Sequence, residues 1–234
     1  MLGVDRGRLL LDDLHVEGDA VRHFQDLVRR RSVGHEPVAY LIGRRGFRHL
    51  ELEVGPRVLI PRPETEHVVE AVVELAPAGA RVVDVGTGSG AIALALADER
   101  PDLVLTATDI SAAALEVARA NGNRLGLNVE WLEADGVPPG SWDVVVSNPP
   151  YVAVGDPRLA ADVRAHEPAV ALFSGEDGLD VIRRLVGCAA PLLVLEVGEG
   201  QAQEVARLAK EAGYSRVEAR GDLAGIERVV IAWA

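Results

Sequence analysis

From Arg81 onward, short apolar runs alternate with longer stretches whose apolar residues recur at helical spacing. Val82-Val83-Asp84-Val85 reads as a buried strand, Gly86-Thr87-Gly88-Ser89-Gly90 as a glycine-rich turn, and residues 91–99 as an apolar helix. Residues 103–108 read as a second strand ending at Asp109. A helix over 112–125 follows, then a third strand over 129–134 ending at Asp135. Residues 144–146 form a fourth strand and 192–197 a fifth, followed by a helix over 201–212. Residues 214–217 and 228–233 are late strands. Alternation of this kind specifies an α/β fold with a doubly wound, mostly parallel sheet.

The first quarter reads differently. Residues 1 to about 33 look helical. Asp19 is placed to cap a helix carrying Val21, Phe24, Leu27 and Val28 on one face. Arg29-Arg30-Arg31 closes it with the sign a helix C-terminus favours, and is expected to be solvated. Phe47, Leu50, Leu52 and Val54 lead to Gly55-Pro56, with Val58-Leu59-Ile60 beyond, which reads as a hairpin around the Gly-Pro turn. Pro61-Arg62-Pro63-Glu64-Thr65-Glu66 is a hinge in which Pro63 suits the first turn of a helix and the glutamates its positive end. The expected organisation is a shortened helical lobe over 1–34, a β-hairpin linker over 35–62 and a main domain over 63–234.

Composition narrows the class. The chain has 234 residues, 48% of them hydrophobic, enough for one large domain and a small appendage. A formal net charge of -12 argues against a surface built to neutralise nucleic-acid phosphates. Cys188 is the single cysteine, so no internal disulfide forms and a reducing cytoplasm is expected. No apolar run approaches the ~20 residues that span a bilayer, and the start does not read as a signal peptide.

The chemistry concentrates where the fourth strand ends, at Ser147-Asn148-Pro149-Pro150-Tyr151. Two prolines stop the strand, and Asn148 before a proline is held extended. The result is a rigid mouth at the carboxyl end of a central strand, where open α/β sheets bind ligands. The Asn148 amide oxygen and the Pro149 carbonyl supply two acceptors at fixed geometry, suited to a planar NH2 group, and Tyr151 a flat face. Acceptors on both hydrogens orient such a nitrogen and leave its lone pair free, so catalysis is mainly positioning, worth ~7–11 kcal/mol.

The glycine turn points to a nucleotide-like ligand, with Asp109 at the end of the next strand placed to accept from ribose hydroxyls. The spacing is Gly-x-Gly-x-Gly, not the dinucleotide fingerprint. Asp84, just before Gly86, would repel a pyrophosphate but suits the ammonium of a methionine moiety. S-adenosylmethionine is therefore preferred over NAD. Asp135 is placed either to meet the adenine amino group or as an ordinary strand-end turn.

Glu36-Pro-Val-Ala-Tyr-Leu-Ile-Gly43, Val58-Leu-Ile-Pro-Arg-Pro-Glu-Thr-Glu66, Asp84-Val-Gly-Thr-Gly-Ser-Gly-Ala-Ile-Ala93 and Ser147-Asn-Pro-Pro-Tyr151 together resemble the HemK/PrmC family of release-factor glutamine-N5 methyltransferases. Glu167-Pro168, Gly175 to Asp180, Leu195-Glu-Val-Gly198 and Asp222-Leu-Ala-Gly225 continue the likeness. The resemblance implies a Rossmann-like class I methyltransferase with a seven-stranded sheet. It implies methyl transfer from S-adenosylmethionine to the glutamine of a Gly-Gly-Gln loop in class I release factors. By the same likeness, Asn148, Pro149, Pro150 and Tyr151 hold the glutamine. Gly86, Thr87, Gly88, Ser89, Gly90, Asp84, Asp109, Asp135 and Asn148 meet the cofactor. No metal, nucleic acid or membrane is expected, and the chain is expected to be a monomer. An adenine-N6 nucleic-acid methyltransferase shares the Asn-Pro-Pro-Tyr mouth and is the alternative. A cofactor-binding protein without catalysis is another, and a dehydrogenase is disfavoured by the glycine spacing.

Overall fold

The computed structural model describes residues 17–188 and 190–234. Seven strands form one sheet in the order β5-β4-β3-β6-β7-β9-β8. The strands are β3 (Arg81–Val85), β4 (Val104–Asp109), β5 (Glu130–Glu133), β6 (Val144–Ser147), β7 (Leu192–Glu196), β8 (Arg216–Gly221) and β9 (Glu227–Trp233). β3 through β7 pair in parallel. β9 runs antiparallel to both β7 and β8.

The apolar runs follow from coverage on both faces. Val82, Val144, Val146, Val194 and Ile231 pack on one side with α3 (Glu66–Leu75) and α4 (Ala91–Glu99). Val83, Val145, Leu193, Leu195 and Val230 point the other way, against α7 (Asp180–Val186) and α8 (Ala202–Glu211). The strict alternation is the period of the pleat. α5 (Ala112–Leu125) is capped by Ser111, whose side chain accepts from Ala114 N, and ends at Gly126 in the left-handed region. Among the described residues no helix is long and apolar enough to cross a membrane.

Several expectations for the first quarter change. The helix there, α1, spans Asp19–Ser32, and Asp19 lies within its first turn instead of capping it by a side-chain bond. The expected helix over residues 1–16 lies outside the described residues. Of its expected apolar face only Leu27 is buried, while Phe24 is 64% exposed. The hairpin joins β1 (Arg44–Phe47) to β2 (Leu50–Glu53), so its turn is Arg48-His49 and not Gly55-Pro56. Arg48 adopts φ 51 there, held by its backbone N–H to Glu66 and its guanidinium to Glu99 and Glu70. Charge partners decided a turn that residue type alone assigns to Gly-Pro. Residues 58–60 form no strand; Val58 and Ile60 bury against α5 beside Tyr40 of α2 (Val38–Ile42).

The arginine run is not simply solvated. Arg30 pairs with Glu36, and Arg31 reaches Asp162 and the His35 carbonyl. Asp162 belongs to α6 (Ala161–His166), a short helix that, like α7, the hydrophobic pattern did not reveal.

Candidate active site

The carboxyl ends of β3, β4, β5 and β6 share one edge of the sheet. The chain order reverses there, with β4 on one side of β3 and β6 on the other. This is the switch point where such sheets leave a crevice. A cavity of about 470 Å³ fills it, walled by the segments that follow each of the four strands, by residues 57–59 and by Pro168, Val170, Ala171 and Phe173.

The glycine turn forms the floor. The backbone N–H groups of Gly86 and Thr87 both donate to the Thr108 carbonyl, at 2.8 and 2.9 Å. Asp109 pins the turn from the next strand. Its Oδ2 accepts from Gly88 N at 2.9 Å and its Oδ1 from Ser111 N at 2.9 Å. A carboxylate has about four acceptor sites, so each oxygen keeps a lone pair for a ligand hydroxyl. Gly86 and Gly88 adopt φ +73 and +57, and a Cβ on either would meet nothing within 4 Å. Their backbone faces the open cavity.

The other members of the turn look elsewhere. A Cβ on Gly90 would stand 2.9 Å from Leu94 Cδ1 and 3.1 Å from Trp131, so that glycine serves packing. Ser89 is buried and its carbonyl accepts from Asn121 Nδ2. Thr87 donates its hydroxyl to Asp84 Oδ2 at 2.6 Å. Asp84 itself is wholly buried, also accepts from Ala93 N, and leaves Oδ1 without a partner. Burial pushes its carboxyl up to about 7, against the bonds from Thr87 and Ala93. Thr87, Ser89, Gly90 and Asp84 are not among the residues that line the cavity; Asp84 ties the turn to the start of α4.

Asp135, Gly136 and Val137 line the cavity beyond β5. Both Asp135 oxygens are held by Arg184 Nη1, at 2.9 and 2.8 Å. Ile110 and Val137 give the cavity apolar wall.

The opposite wall is the mouth after β6. Ser147 donates its hydroxyl to the Val85 carbonyl at 2.6 Å, locking β6 to β3 at its last residue. Asn148, Pro149 and Pro150 line the cavity. Asn148 Nδ2 donates to Thr65 Oγ1 at 3.0 Å. Among the described residues no donor meets the Asn148 amide oxygen or the Pro149 carbonyl. Tyr151 does not line the cavity. Its hydroxyl donates to Glu196 Oε1 at 3.1 Å and its carbonyl accepts from Gln201 Nε2 at 3.0 Å. The expected stacking face is therefore turned toward the second layer of the core. Burial, with Glu196 next, holds the Tyr151 phenol well above its usual range.

Thr65, Glu196 and Gln201 are site residues that reading the sequence did not single out. Glu196 carried a signal: a carboxylate inside Leu192-Leu-Val-Leu-Glu-Val, a run buried on both faces, has to be partnered. It is 1% exposed, and burial pushes it up to about 7 against the pull of Thr65 and Tyr151.

A seven-stranded sheet with one reversed strand, a glycine turn pinned by a strand-end carboxylate, and Asn148-Pro149-Pro150 on one crevice define an S-adenosylmethionine-dependent methyltransferase. A family model described as methyltransferase small domain matches residues 48–175. A release factor glutamine methyltransferase of Neisseria gonorrhoeae is 44% identical, covering 91% of this chain and 82% of its own. Another of that name from Gloeobacter violaceus is 42% identical, over 99% of this chain and 86% of its own. In structure, the E. cuniculi Mtq2-Trm112 complex, described as responsible for methylation of the eRF1 translation termination factor, matches with TM-score 0.57 and 25% identity. It covers 76% of this chain and 98% of that one. The chain belongs to the release factor glutamine methyltransferase family.

Proposed function

We propose that this chain transfers a methyl group from S-adenosylmethionine to the side-chain amide nitrogen of the glutamine in the Gly-Gly-Gln motif of class I release factors. The observation that carries the reading is the pair of unengaged acceptors, Asn148 Oδ1 and the Pro149 carbonyl, on the wall of the cavity. Together they match the two hydrogens of a primary amide.

The residues present fit the cofactor. Gly86 and Gly88 expose backbone to open space, Asp109 retains acceptor capacity beside them, and Ile110 and Val137 supply apolar wall. When bound, S-adenosylmethionine supplies an electrophilic methyl group on a sulfonium. The chain's own residues do the rest by placement. Asn148 and Pro149 hold the two N–H bonds in one plane, which leaves the nitrogen lone pair perpendicular to it. As the N–CH3 bond forms, the S–CH3 bond would break to leave a neutral thioether, and the nitrogen gives up one proton to solvent to regain its neutral amide. Asn148 accepts a hydrogen bond throughout and is not a base.

The adenine reading uses the same mouth, and the net charge of -12 weighs against it. We expect the chain to work as a monomer in the cytoplasm, where release factors act. Radiolabelled methyl transfer is the test, with purified release factor and adenine-containing duplex DNA offered separately. Label in the release factor, lost when its Gly-Gly-Gln glutamine is changed, supports the reading. Label in DNA moves the chain to the nucleic-acid branch. Cofactor binding without label in either overturns catalysis on both.

A further inference from the structure

The geometry points to Thr65 as a positioning residue that fixes which end of the Asn148 amide faces the substrate. This rests on the reading above for what Asn148 does. It does not rest on it for how Asn148 is held.

An asparagine amide turned by half a revolution presents NH2 where oxygen stood. Facing a glutamine NH2, that flip replaces an acceptor by a donor and removes the contact. Pro149 fixes the backbone after Asn148, but nothing in the backbone decides the flip. Thr65 decides it, at 3.0 Å from Nδ2. Nδ2 is the donor end of the amide, so its bond to Thr65 Oγ1 leaves Oδ1 as the end turned to the cavity. Behind Thr65, Glu196 Oε1 accepts from the Tyr151 hydroxyl at 3.1 Å, and Oε2 is buried with no hydrogen-bond partner.

The arrangement is buried and tightly walled. Thr65 is 3% exposed and Glu196 1%. Gly178 and Gly198 press on the same mouth. A Cβ on Gly178 would stand 2.3 Å from the Tyr151 carbonyl oxygen, and one on Gly198 3.2 Å from Tyr151 Cδ2. Thr65 comes from the short 3-10 turn Pro63–Thr65, so the hinge segment reaches into the site and is more than a linker.

The test compares wild type, Thr65→Ser, Thr65→Val and Thr65→Ala by kcat and KM for methyl transfer and by calorimetric cofactor affinity. NMR follows the Asn148 side-chain NH2, assigned by its absence in Asn148→Asp. Thr65→Val is expected to lower kcat about 10- to 100-fold, the scale of a displaced reacting group. Its cofactor affinity should stay within about threefold, and Thr65→Ser should restore most of the turnover. Wild-type Asn148 NH2 protons should exchange slowly with solvent, and those of Thr65→Val quickly. If Thr65→Val does not fold, Thr65→Ala serves, since it too removes the acceptor that holds Nδ2, visible in the same signals. Near-normal kcat in Thr65→Val, or Asn148 protons that exchange quickly in wild type, overturns the assignment. If wild type methylates no release factor, the functional reading fails separately and the NH2 signals alone decide this one.

Discussion

The two walls of the cavity are built on different plans. The cofactor wall uses backbone: glycine N–H groups and a carboxylate one strand away, Asp109 bonding Gly88 over a separation of 21 residues. The substrate wall uses side chains held from afar. Asn148 leans on Thr65, 83 residues earlier, and Tyr151 on Glu196, 45 later. A backbone cradle depends on local conformation and is hard to remove by mutation at any one side chain. A side-chain mouth depends on pieces that meet only when the whole domain folds. Substitutions on the substrate wall should therefore strike turnover and spare cofactor binding, and those on the other should do the reverse.

The sharpest expected break is Asn148→Ala. It deletes one of the two acceptors and should cut turnover by about 10²–10³-fold, the scale of removing one preorganised group at a reacting centre. Cofactor affinity measured by calorimetry should move little. Equal losses in both would show that the walls are not separable.

Next in size is a pH effect centred on Glu196. Its folded pKa stands at about 7, above its usual 4.5, with Thr65, Tyr151, Glu64 and Arg228 facing it. A raised carboxyl contributes stability that is full below the unfolded value and is lost as pH rises through the folded one. Across pH 4.5 to 7 that amounts to roughly 3 kcal/mol at most. Glu196→Gln cannot ionise, so its unfolding free energy should fall less than wild type's over that window in urea titrations. An identical pH dependence in the two proteins would mean Glu196 stays charged throughout.

The mirror test is Asp109→Ala. It strands Gly88 N and Ser111 N, and bonds to a charged group are worth ~1.5–3 kcal/mol each. Cofactor binding should weaken by about 10- to 100-fold, with kcat at saturating cofactor close to normal. A loss confined to kcat would place Asp109 on the wrong wall.

How much of this was legible follows the same division. The glycine turn, Asp109, the central strands and Asn148-Pro149-Pro150 are local patterns, and the alternation of elements read directly into the sheet. The hairpin turn was misplaced because Arg48 takes φ 51 with three glutamates around its backbone and side chain, a cost no residue propensity records. α6 and α7 are short, at 6 and 7 residues, too brief for a helical period to stand out. The position of Asp84 before Gly86 does not show its inward bond from Thr87, which only the folded turn makes. Thr65 stands in a segment marked by its prolines and acids, while its hydroxyl partner Asn148 lies 83 residues on, just past the end of β6.

The smallest expected effect divides the glycine turn itself. Gly88 and Gly90 are two residues apart and both adopt positive φ, +57 and +85. An alanine at either is strained by ~1–2 kcal/mol. The two differ in what the new methyl meets. At Gly88 it stands in the open space of the cavity, so Gly88→Ala should weaken cofactor binding about tenfold at modest cost in stability. At Gly90 it meets Leu94 Cδ1 at 2.9 Å, Trp131 at 3.1 Å and Ala118 Cβ at 3.3 Å. Overpacking adds ~1–3 kcal/mol, so Gly90→Ala should lower the melting temperature more and leave cofactor affinity nearly intact once folded. Paired calorimetry and thermal melts on the two variants decide it. If Gly90→Ala loses the cofactor and keeps its stability, the turn binds ligand through Gly90 as well, and the division between Gly88 and Gly90 fails.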